Sequence, residues 1–189
     1  MCGRMNIDTK LSPIISEFFG VNFTAPTNEN LSPGQTVSTI INNGSNTQQL
    51  NAEWGIKPDW SKRLLINAQS ETVIDKPTFS DAIKTHRCLI PCSGWYEWRT
   101  ENGKKKKYLF SNSNDEPFLM AGIWYQTANE IPKLVTLTTT PNQKCAQYHK
   151  RMPVLVLPHN AEFWFKSPVH QLSPLFEAID ESSINVNAA

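Results

Sequence analysis

Cys2 is the residue with the most distinctive possible chemistry, because removal of Met1 would leave an α-amine and a thiol on one residue. Such a 1,2-aminothiol condenses with an aldehyde to an imine, and its thiolate then closes a five-membered thiazolidine ring. Ring closure is intramolecular and is therefore favoured by a high effective concentration. The α-amine, with an ordinary pKa of about 8, keeps a neutral fraction at cellular pH. The alternative is an ordinary cysteine that follows the initiator methionine.

Glu97 is a second candidate, because it lies in the aromatic run Gly94-Trp95-Tyr96-Glu97-Trp98. On a strand, Trp95 and Glu97 share one face, and Tyr96 and Trp98 share the other. An inward Glu97 would favour the protonated form and suit general acid or base catalysis. An outward Glu97 would lie on the solvated face, and alternation alone leaves both possibilities open.

His149 and Asn67 are the remaining candidates for polar chemistry. His149 lies between a short helical pattern and an apolar strand, where it could shuttle protons or serve as a structural residue. Asn67, in Ile66-Asn67-Ala68-Gln69-Ser70-Glu71-Thr72, could orient a substrate oxygen or fix a turn.

The cysteines and histidines form spacings that superficially suggest a metal site, Cys88-x3-Cys92 and Cys145-x3-His149. Structural zinc sites favour tighter C-x2-C pairs, and Pro91 interrupts the first spacing. We therefore expect no metal site and small core cysteines. The sequence holds no P-loop, GxGxxG, HExxH or GxSxG motif, so no cofactor is expected.

Hydrophobic patterns predict the elements that position these residues: one α+β domain over residues 1–181, with a curved, mainly antiparallel, barrel-like sheet and a few short peripheral helices. Strands are expected at 36–41, 49–54, 87–90, 94–99, 107–110, 118–125, 133–139 and 153–157. Helices are expected at 11–19, 78–83, 142–148, 161–165 and 172–179, and a loop at 21–33. Residues 104–107 are expected at a solvated hairpin tip, and 182–189 as a frayed polar tail.

Composition narrows the class of protein. The 189 residues include 18 Lys and Arg against 17 Asp and Glu, a net charge of +1, which argues against coating of nucleic acid by bulk charge but not against a local basic groove. No membrane span or apolar leader is evident, so a cytoplasmic protein with reduced cysteines is expected. In Trp54-Gly55-Ile56-Lys57-Pro58-Asp59-Trp60, the two tryptophans are candidates for base stacking or for the core.

Six segments, taken together, resemble the SOS-response-associated peptidase (SRAP) family. They are Met1-Cys2-Gly3-Arg4, Trp54 to Trp60, Ile66 to Thr72, Arg87 to Trp98, Ala121-Gly122-Ile123-Trp124 and His149-Lys150-Arg151-Met152-Pro153-Val154. They follow the family order and span nearly the whole chain. Each segment is weak alone, whereas the set is specific.

The resemblance implies a sensor of abasic sites in single-stranded DNA, nucleoid-associated when bound and monomeric. Cys2 is expected to form a thiazolidine cross-link with the ring-opened sugar, Glu97 and His149 to move protons, and Asn67 to hold the Cys2 terminus and the sugar. Self-removal of Met1 and weak strand cleavage at abasic sites are also implied. The matching DNA-contact positions are Arg4, Pro33, Trp54, Gly55, Gln69, Thr139 and Arg151. Pro33 and Trp54 are expected near the bases, where a wedge favours a single strand or a strand–duplex junction.

Position 69 departs from the family, which usually has Arg there. Gln69 would replace a charge-assisted phosphate contact with a neutral one. Lys62, Arg63 or Lys150 could compensate for the lost charge.

Two alternative functions remain open from the residues. One is an amidohydrolase that uses Cys2 as nucleophile and its own amine as base. The other is a non-catalytic DNA-binding module, whose salt-sensitive binding would not depend on Cys2.

Overall fold

The computed structural model describes residues 3–126, 128 and 130–189. Their strands are β1 Met5–Ile7, β2 Asn28–Leu31, β3 Thr36–Asn42, β4 Thr47–Trp54, β5 Asn67–Gln69, β6 Arg87–Cys92, β7 Gly94–Glu101, β8 Lys104–Asn112, β9 Phe118–Tyr125, β10 Lys133–Thr139, β11 Met152–Pro153 and β12 Ile184–Ala188. Their α-helices are α1 Leu11–Phe19, α2 Pro77–Thr85, α3 Gln143–Ala146 and α4 Ala161–Lys166. Short 3-10 turns lie at Pro158–Asn160, Val169–Gln171, Ser173–Phe176 and Glu181–Ser183.

Five strands close into a ring. β3 pairs with β4 and β6, β6 with β9, β9 with β10, and β10 with β4, and all but the last pairing are antiparallel. The barrel-like α+β prediction is therefore confirmed. β6 is buried along its whole length, as expected for a strand covered on both faces.

Strand β10 changes partners halfway along its length, and this opens the ring at its carboxyl end. Lys133 and Leu134 pair with β4, whereas Thr136 to Thr138 pair in parallel with β5. On the other edge, residues 133–136 pair with β9, and Thr138 and Thr139 pair with β11. β5 and β11 therefore bring residue 67 and the chain just after residue 149 to the same end of β10.

A second sheet has the strand order β12-β8-β7-β1-β2. The ring of Trp95 stacks on Phe110 with centroids 4.9 Å apart and packs against Phe118 at 5.3 Å. Such aromatic burial is a large contribution to the core between the two sheets.

The helices cover the outer faces of the sheets. α1 buries Leu11 and Ile15 and ends at Gly20, whose φ of 64° is the left-handed conformation that glycine adopts without strain. Arg87 on β6 donates to the carbonyls of Phe165 and Ser167, both at 2.8 Å, and so fixes the end of α4. No helix among the described residues is long and apolar enough to cross a membrane.

Several predicted elements differ from those observed. The predicted frayed tail instead contains β12, which pairs with β8, because Ile184 and Val186 alternate with asparagines and Ile184 is fully buried. The predicted loop at 21–33 contains β2. The predicted strand at 153–157 is reduced to β11 and a bridge at Leu155, and 172–179 holds only a 3-10 turn. Residues 104–107 begin β8, and the turn is at Asn102 and Gly103, both with positive φ.

Candidate functional site

Glu97 lies on the inner face of β7. Trp95 and Glu97 are both buried, 1% and 5% exposed, whereas Trp98 is 38% exposed, so the inward alternative is confirmed. Burial raises the pKa of Glu97 to about 7, and the positive charge of the amino terminus acts in the opposite direction. A carboxyl with a pKa near neutrality can both donate and accept a proton at cellular pH.

The first strand runs directly beside Glu97. Met5 pairs with Trp95 and Asn6 with Gly94, and the N–H of Tyr96 donates to the Arg4 carbonyl at 3.0 Å. Each step toward the amino terminus on β1 therefore corresponds to one step forward on β7. Continued by one more residue, this antiparallel register brings Gly3 level with Glu97.

His149 follows α3 and is half-buried. The side chain of Asn142 caps this short helix by accepting from the Cys145 N–H at 2.9 Å, and the N–H of His149 donates to the Cys145 carbonyl at 3.1 Å. Burial lowers the pKa of His149, and the charge of the amino terminus acts in the same direction. A neutral imidazole, able to accept a proton, is therefore the favoured form at cellular pH.

Two backbone groups of Arg151 contact Nδ1 of His149. The Arg151 N–H lies 3.1 Å from Nδ1 and donates to it when the neutral ring carries its hydrogen on Nε2. The Arg151 carbonyl lies 3.2 Å from the same Nδ1 and accepts from it when Nδ1 carries the hydrogen, the tautomer whose Nε2 can accept a proton.

Cys145 connects the two titratable groups. Burial raises the pKa of its thiol to about 12, and the charge of Glu97 contributes in the same direction. Cys145 therefore lies within electrostatic reach of Glu97 and is hydrogen-bonded through its carbonyl to His149. This thiol remains protonated and serves as packing.

Asn67 begins β5 and is half-buried. It pairs with Thr136 of β10, and the Thr136 hydroxyl donates to its Oδ1. This hydrogen bond fixes the orientation of the Asn67 carboxamide.

A groove of about 420 Å³ joins Asn67 to other predicted residues. Asn67, Gln69 and Arg151 line it together with Trp60, whose side chain is 70% exposed. Thr138 and Lys76 also contribute to the lining. Amide, cationic and exposed aromatic side chains in one groove provide the groups that bind phosphates, sugars and unstacked bases.

The two tryptophans of the 54–60 segment have opposite environments. Trp54 is fully buried, and its indole donates to the Ile66 carbonyl at 3.0 Å, so its side chain offers no surface for a base. The predicted position of Trp54 near the bases is thus corrected: it anchors the core, and Trp60 is the exposed aromatic. The sequence left base stacking and core packing open for both tryptophans, because residue type alone does not distinguish a buried tryptophan from an exposed one.

The other predicted DNA contacts lie in several parts of the fold. Gly55 has φ +121°, and a Cβ there would lie 2.6 Å from Leu64 Cγ. The turn holding Pro33 is bound to the end of β4, where Gly34 N–H donates to the Trp54 carbonyl at 2.8 Å. Arg4 precedes β1 and is half-buried, whereas Thr139 ends β10 and is buried. Gln69 is exposed.

Arg151 is tightly bound within the protein. Its guanidinium makes two hydrogen bonds of 2.7 Å to the two carboxylate oxygens of Glu71 and a third of 2.5 Å to the Thr138 carbonyl. Glu71 lies in the 66–72 segment, but nothing in the sequence marks it as the partner of Arg151.

Cys2 lies outside the described residues. The thiols of Cys88 and Cys92 are four residues apart on β6, about 13 Å along a strand, which is too far for one tetrahedral zinc. Among the described residues, no group of three or more His, Cys, Asp or Glu is arranged to hold a metal ion.

Comparison with known proteins places this arrangement in a family. The model of the SOS response associated peptidase (SRAP) family matches residues 1–188. The chain belongs to the SRAP family. Abasic site processing protein YoqW of Bacillus subtilis is 32% identical over 181 residues, covering 87% of this chain and 80% of that protein. Abasic site processing protein YedK of Escherichia coli is 26% identical over 144 residues, covering 74% of this chain and 65% of that protein.

Solved structures agree on the SRAP fold. A protein from Bordetella bronchiseptica superposes with a TM-score of 0.87 at 21% identity, over 100% of this chain and 99% of that chain. A phage-related protein from the same organism gives a TM-score of 0.83 at 25% identity, over 100% and 94%.

Proposed function

We propose that this SRAP protein processes abasic sites in DNA by capturing the ring-opened sugar on Cys2. The observation that carries the proposal is the register of β1 against β7, which brings Gly3, the neighbour of Cys2, level with a buried carboxyl whose pKa is raised to about 7. The names of the related proteins, abasic site processing proteins, support the same substrate class.

The proposed reaction begins once Met1 is absent. The Cys2 amine adds to the sugar aldehyde carbon, and loss of the aldehyde oxygen as water gives an imine. The Cys2 sulfur then adds to the same carbon, the thiol proton moves to the nitrogen, and a thiazolidine forms. The balance is one aldehyde and one aminothiol in, one thiazolidine and one water out.

Glu97 and His149 are suited to opposite proton transfers in this reaction, because one can donate a proton and the other can accept one. Protonated Glu97 donates to the leaving oxygen, because burial keeps part of the carboxyl population neutral near pH 7. Neutral His149 accepts a proton from the amine or thiol, because burial keeps its pKa below the ordinary value. Asn67, oriented by Thr136, holds the sugar and the terminus.

The DNA is proposed to enter along the groove that contains Asn67. Trp60 stacks on an unpaired base, and Gln69 contacts the sugar-phosphate chain beside it. Arg4, Pro33, Gly55 and Thr139 provide flanking contacts to a single strand or to a strand–duplex junction. Binding as a monomer is sufficient for this arrangement.

Removal of Met1 and weak cleavage at abasic sites are further proposed activities of the same residues. Removal of Met1 is peptide hydrolysis, in which Cys2 is the nucleophile and Glu97 and His149 move the protons. Strand cleavage would proceed from the imine before the sulfur closes the ring.

Intact-mass spectrometry of the purified chain, alone and after incubation with an abasic oligonucleotide, tests the proposal. The wild-type chain should lack the mass of Met1 and should gain the oligonucleotide mass minus one water. Cys2→Ser should lose the heat-stable adduct, because an alcohol closes a far less stable ring. Cys88→Ala, a buried cysteine on β6, should cross-link as wild type does. A durable adduct with Cys2→Ser, or an active wild-type chain that retains Met1, would refute the thiazolidine.

A further inference from the structure

The hairpin formed by β7 and β8 concentrates the positive charge of the chain. From Arg99 to Lys107 it carries five cationic side chains and one carboxylate, Glu101, so its net charge is +4, whereas the net charge of the whole chain is +1. The remainder of the chain is therefore negative. An anionic partner is attracted to this hairpin more strongly than to the molecule as a whole.

The inner face of the hairpin, which also carries Glu97, uses its cations within the protein. Arg99 and Lys106 both pair with the Glu101 carboxylate. The Arg99 guanidinium also lies over the ring of Tyr148, 4.6 Å from its centroid. These contacts leave little of the inner positive charge available to a partner.

The outer face of the hairpin differs, because its cations have no acidic partner. Alternation along the paired strands places Tyr96, Trp98, Lys105 and Lys107 on this face. The Lys107 Nζ lies 3.7 Å from the centroid of the Tyr96 ring, and its cross-strand neighbour Trp98 is 38% exposed. Among the described residues, neither Lys105 nor Lys107 forms an ion pair. Unpaired cations beside an exposed aromatic ring suit a single-stranded nucleic acid.

The same face continues into the first strand and a proposed DNA contact. The Tyr96 N–H donates to the Arg4 carbonyl at 3.0 Å, so the antiparallel register brings Arg4 level with Tyr96 and onto the outer face. Arg4 is two residues after Cys2 in the chain. Burial raises the pKa of Tyr96, and the charge of Glu29 acts in the same direction, so one carboxylate lies within electrostatic reach of this face.

The opposite end of the outer face is acidic, which limits where a phosphate chain can lie. Asn6 and Ser111, at the far ends of β1 and β8, line a cleft of about 130 Å³ together with Asp8, Asp115 and Glu116. Three carboxylates repel phosphate. The favourable half of the face is therefore the half that carries Arg4, Lys107 and Lys105.

We propose that the outer face of the β7–β8 hairpin binds the single strand that flanks the abasic nucleotide, with Lys105 and Lys107 contacting its phosphates. The proposal rests on the abasic-site function above and extends the DNA path from Arg4 along the hairpin. Lys105 and Lys107 are two residues apart on one strand, about 7 Å, so together they follow the strand outward from Arg4.

The salt dependence of binding tests this surface. The probe is a single-stranded oligonucleotide with a ring-closed abasic analogue, which has no aldehyde and is not captured. Removal of both charges in Lys105→Gln/Lys107→Gln should weaken binding by roughly tenfold at about 0.1 M salt. It should also make the slope of log affinity against log salt shallower by about 1.4, since each phosphate contact to a single strand contributes about 0.7.

The matched control is Lys84→Gln/Lys166→Gln, which removes the same charge from the last turns of α2 and α4. It should leave both the affinity and the slope at the wild-type values. Equal slopes in the wild type and the hairpin variant would overturn the proposal, and so would an equal loss in the control variant.

Lys105→Arg/Lys107→Arg separates charge from packing on the Tyr96 ring. This variant keeps both charges and should bind as the wild type does, whereas binding as weak as that of the glutamine variant would overturn the proposal. At saturating abasic DNA, the glutamine variant should be captured within twofold of the wild-type rate, because these lysines act on binding alone. A large loss of the saturated rate would contradict that role.

Shortening the oligonucleotide from either end locates the contact. With one of the two flanks removed, the glutamine variant and the wild type should bind equally, because the strand no longer reaches the hairpin. With the other flank removed, the difference should persist. A difference that survives both truncations would overturn the proposed path of the strand.

An intact single strand separates this inference from the proposed function, because its binding requires no capture. A shallower salt slope for the glutamine variant, in a protein that fails to capture abasic DNA, would refute the capture function alone. Capture of abasic DNA by the wild type with equal salt slopes for the two proteins would overturn the hairpin surface alone.

Discussion

At the level of single residues, the burial of Glu97 makes the stability of the fold depend on pH. A carboxyl removed from water favours its neutral form, so the folded state binds a proton more tightly than the unfolded chain does. The same property that suits Glu97 to proton transfer therefore costs stability once the group ionises. The cost is absent below the ordinary pKa of 4.5 and complete above about pH 7.

Glu97→Gln should remove this dependence. The wild-type free energy of unfolding should fall between pH 4.5 and 7 relative to the variant, by about 3 kcal/mol, since one pKa unit corresponds to about 1.4 kcal/mol. Urea unfolding at pH 5 and pH 8 measures the difference. Glu101→Gln is the contrasting control: Tyr108 and Arg99 lower the pKa of that half-buried carboxyl, so its removal should cost stability above pH 4.5 rather than gain it. Parallel pH profiles for Glu97→Gln and wild type would contradict the buried carboxyl.

Alternation along β7 correctly paired Glu97 with Trp95 but did not choose a face. The choice is made by tertiary contacts, because Trp95 stacks on Phe110 and draws its whole face inward. The same limit applies to Trp54 and Trp60, which have identical side chains and opposite burial. Whether such a side chain is buried depends on contacts with residues that are distant in sequence, and a single sequence does not show which residues these are.

At the level of elements, the change of partners along β10 explains how the site is assembled. Strand lengths and runs of apolar residues predicted β3, β4, β6, β7, β9 and β10 well, because these strands are long and have strong hydrophobic patterns. The two- and three-residue strands β5 and β11 carry too little pattern to be predicted reliably. Yet they place Asn67 and Arg151, so the least predictable elements are those that form the groove.

Strand β12 provides an element-level prediction. Ile184 is fully buried and pairs with Asn112 of β8, so Ile184→Ala should destabilise the fold by about 2–4 kcal/mol, as truncation in a core does. Asn185→Ala, one residue later and exposed, should change stability by less than about 0.5 kcal/mol. Urea unfolding of both variants is the measurement, and equal stabilities would show that β12 is not docked in solution.

At the level of the whole molecule, the fold buries the described cysteines, two on β6 and one on α3. Cys88 and Cys92 are fully buried and Cys145 is 3% exposed, and burial raises the pKa of all three thiols. Thiolates are the reactive form, so these groups should be inert in the folded protein.

Titration with a thiol reagent at pH 7.5 should therefore detect about one fast-reacting thiol per folded chain, assigned to Cys2 by the proposed function. The Cys2→Ser variant should show none until denaturant is added, after which Cys88, Cys92 and Cys145 should all react. Fast labelling of two or more thiols in the native protein would contradict the burial of the three internal cysteines.

β1 and β12 belong to one sheet, with β7 and β8 between them, and this affects how the protein can be handled. A tag ahead of residue 1 would block the amine on which the proposed chemistry depends. A tag after Ala189 would instead follow β12, and the Ala189 N–H donates to the Lys107 carbonyl. β12 is two strand spacings, about 10 Å, from β7. A fluorophore or an immobilisation tag should therefore be attached to the carboxyl terminus through a flexible spacer. There it can report DNA binding without blocking the amino terminus.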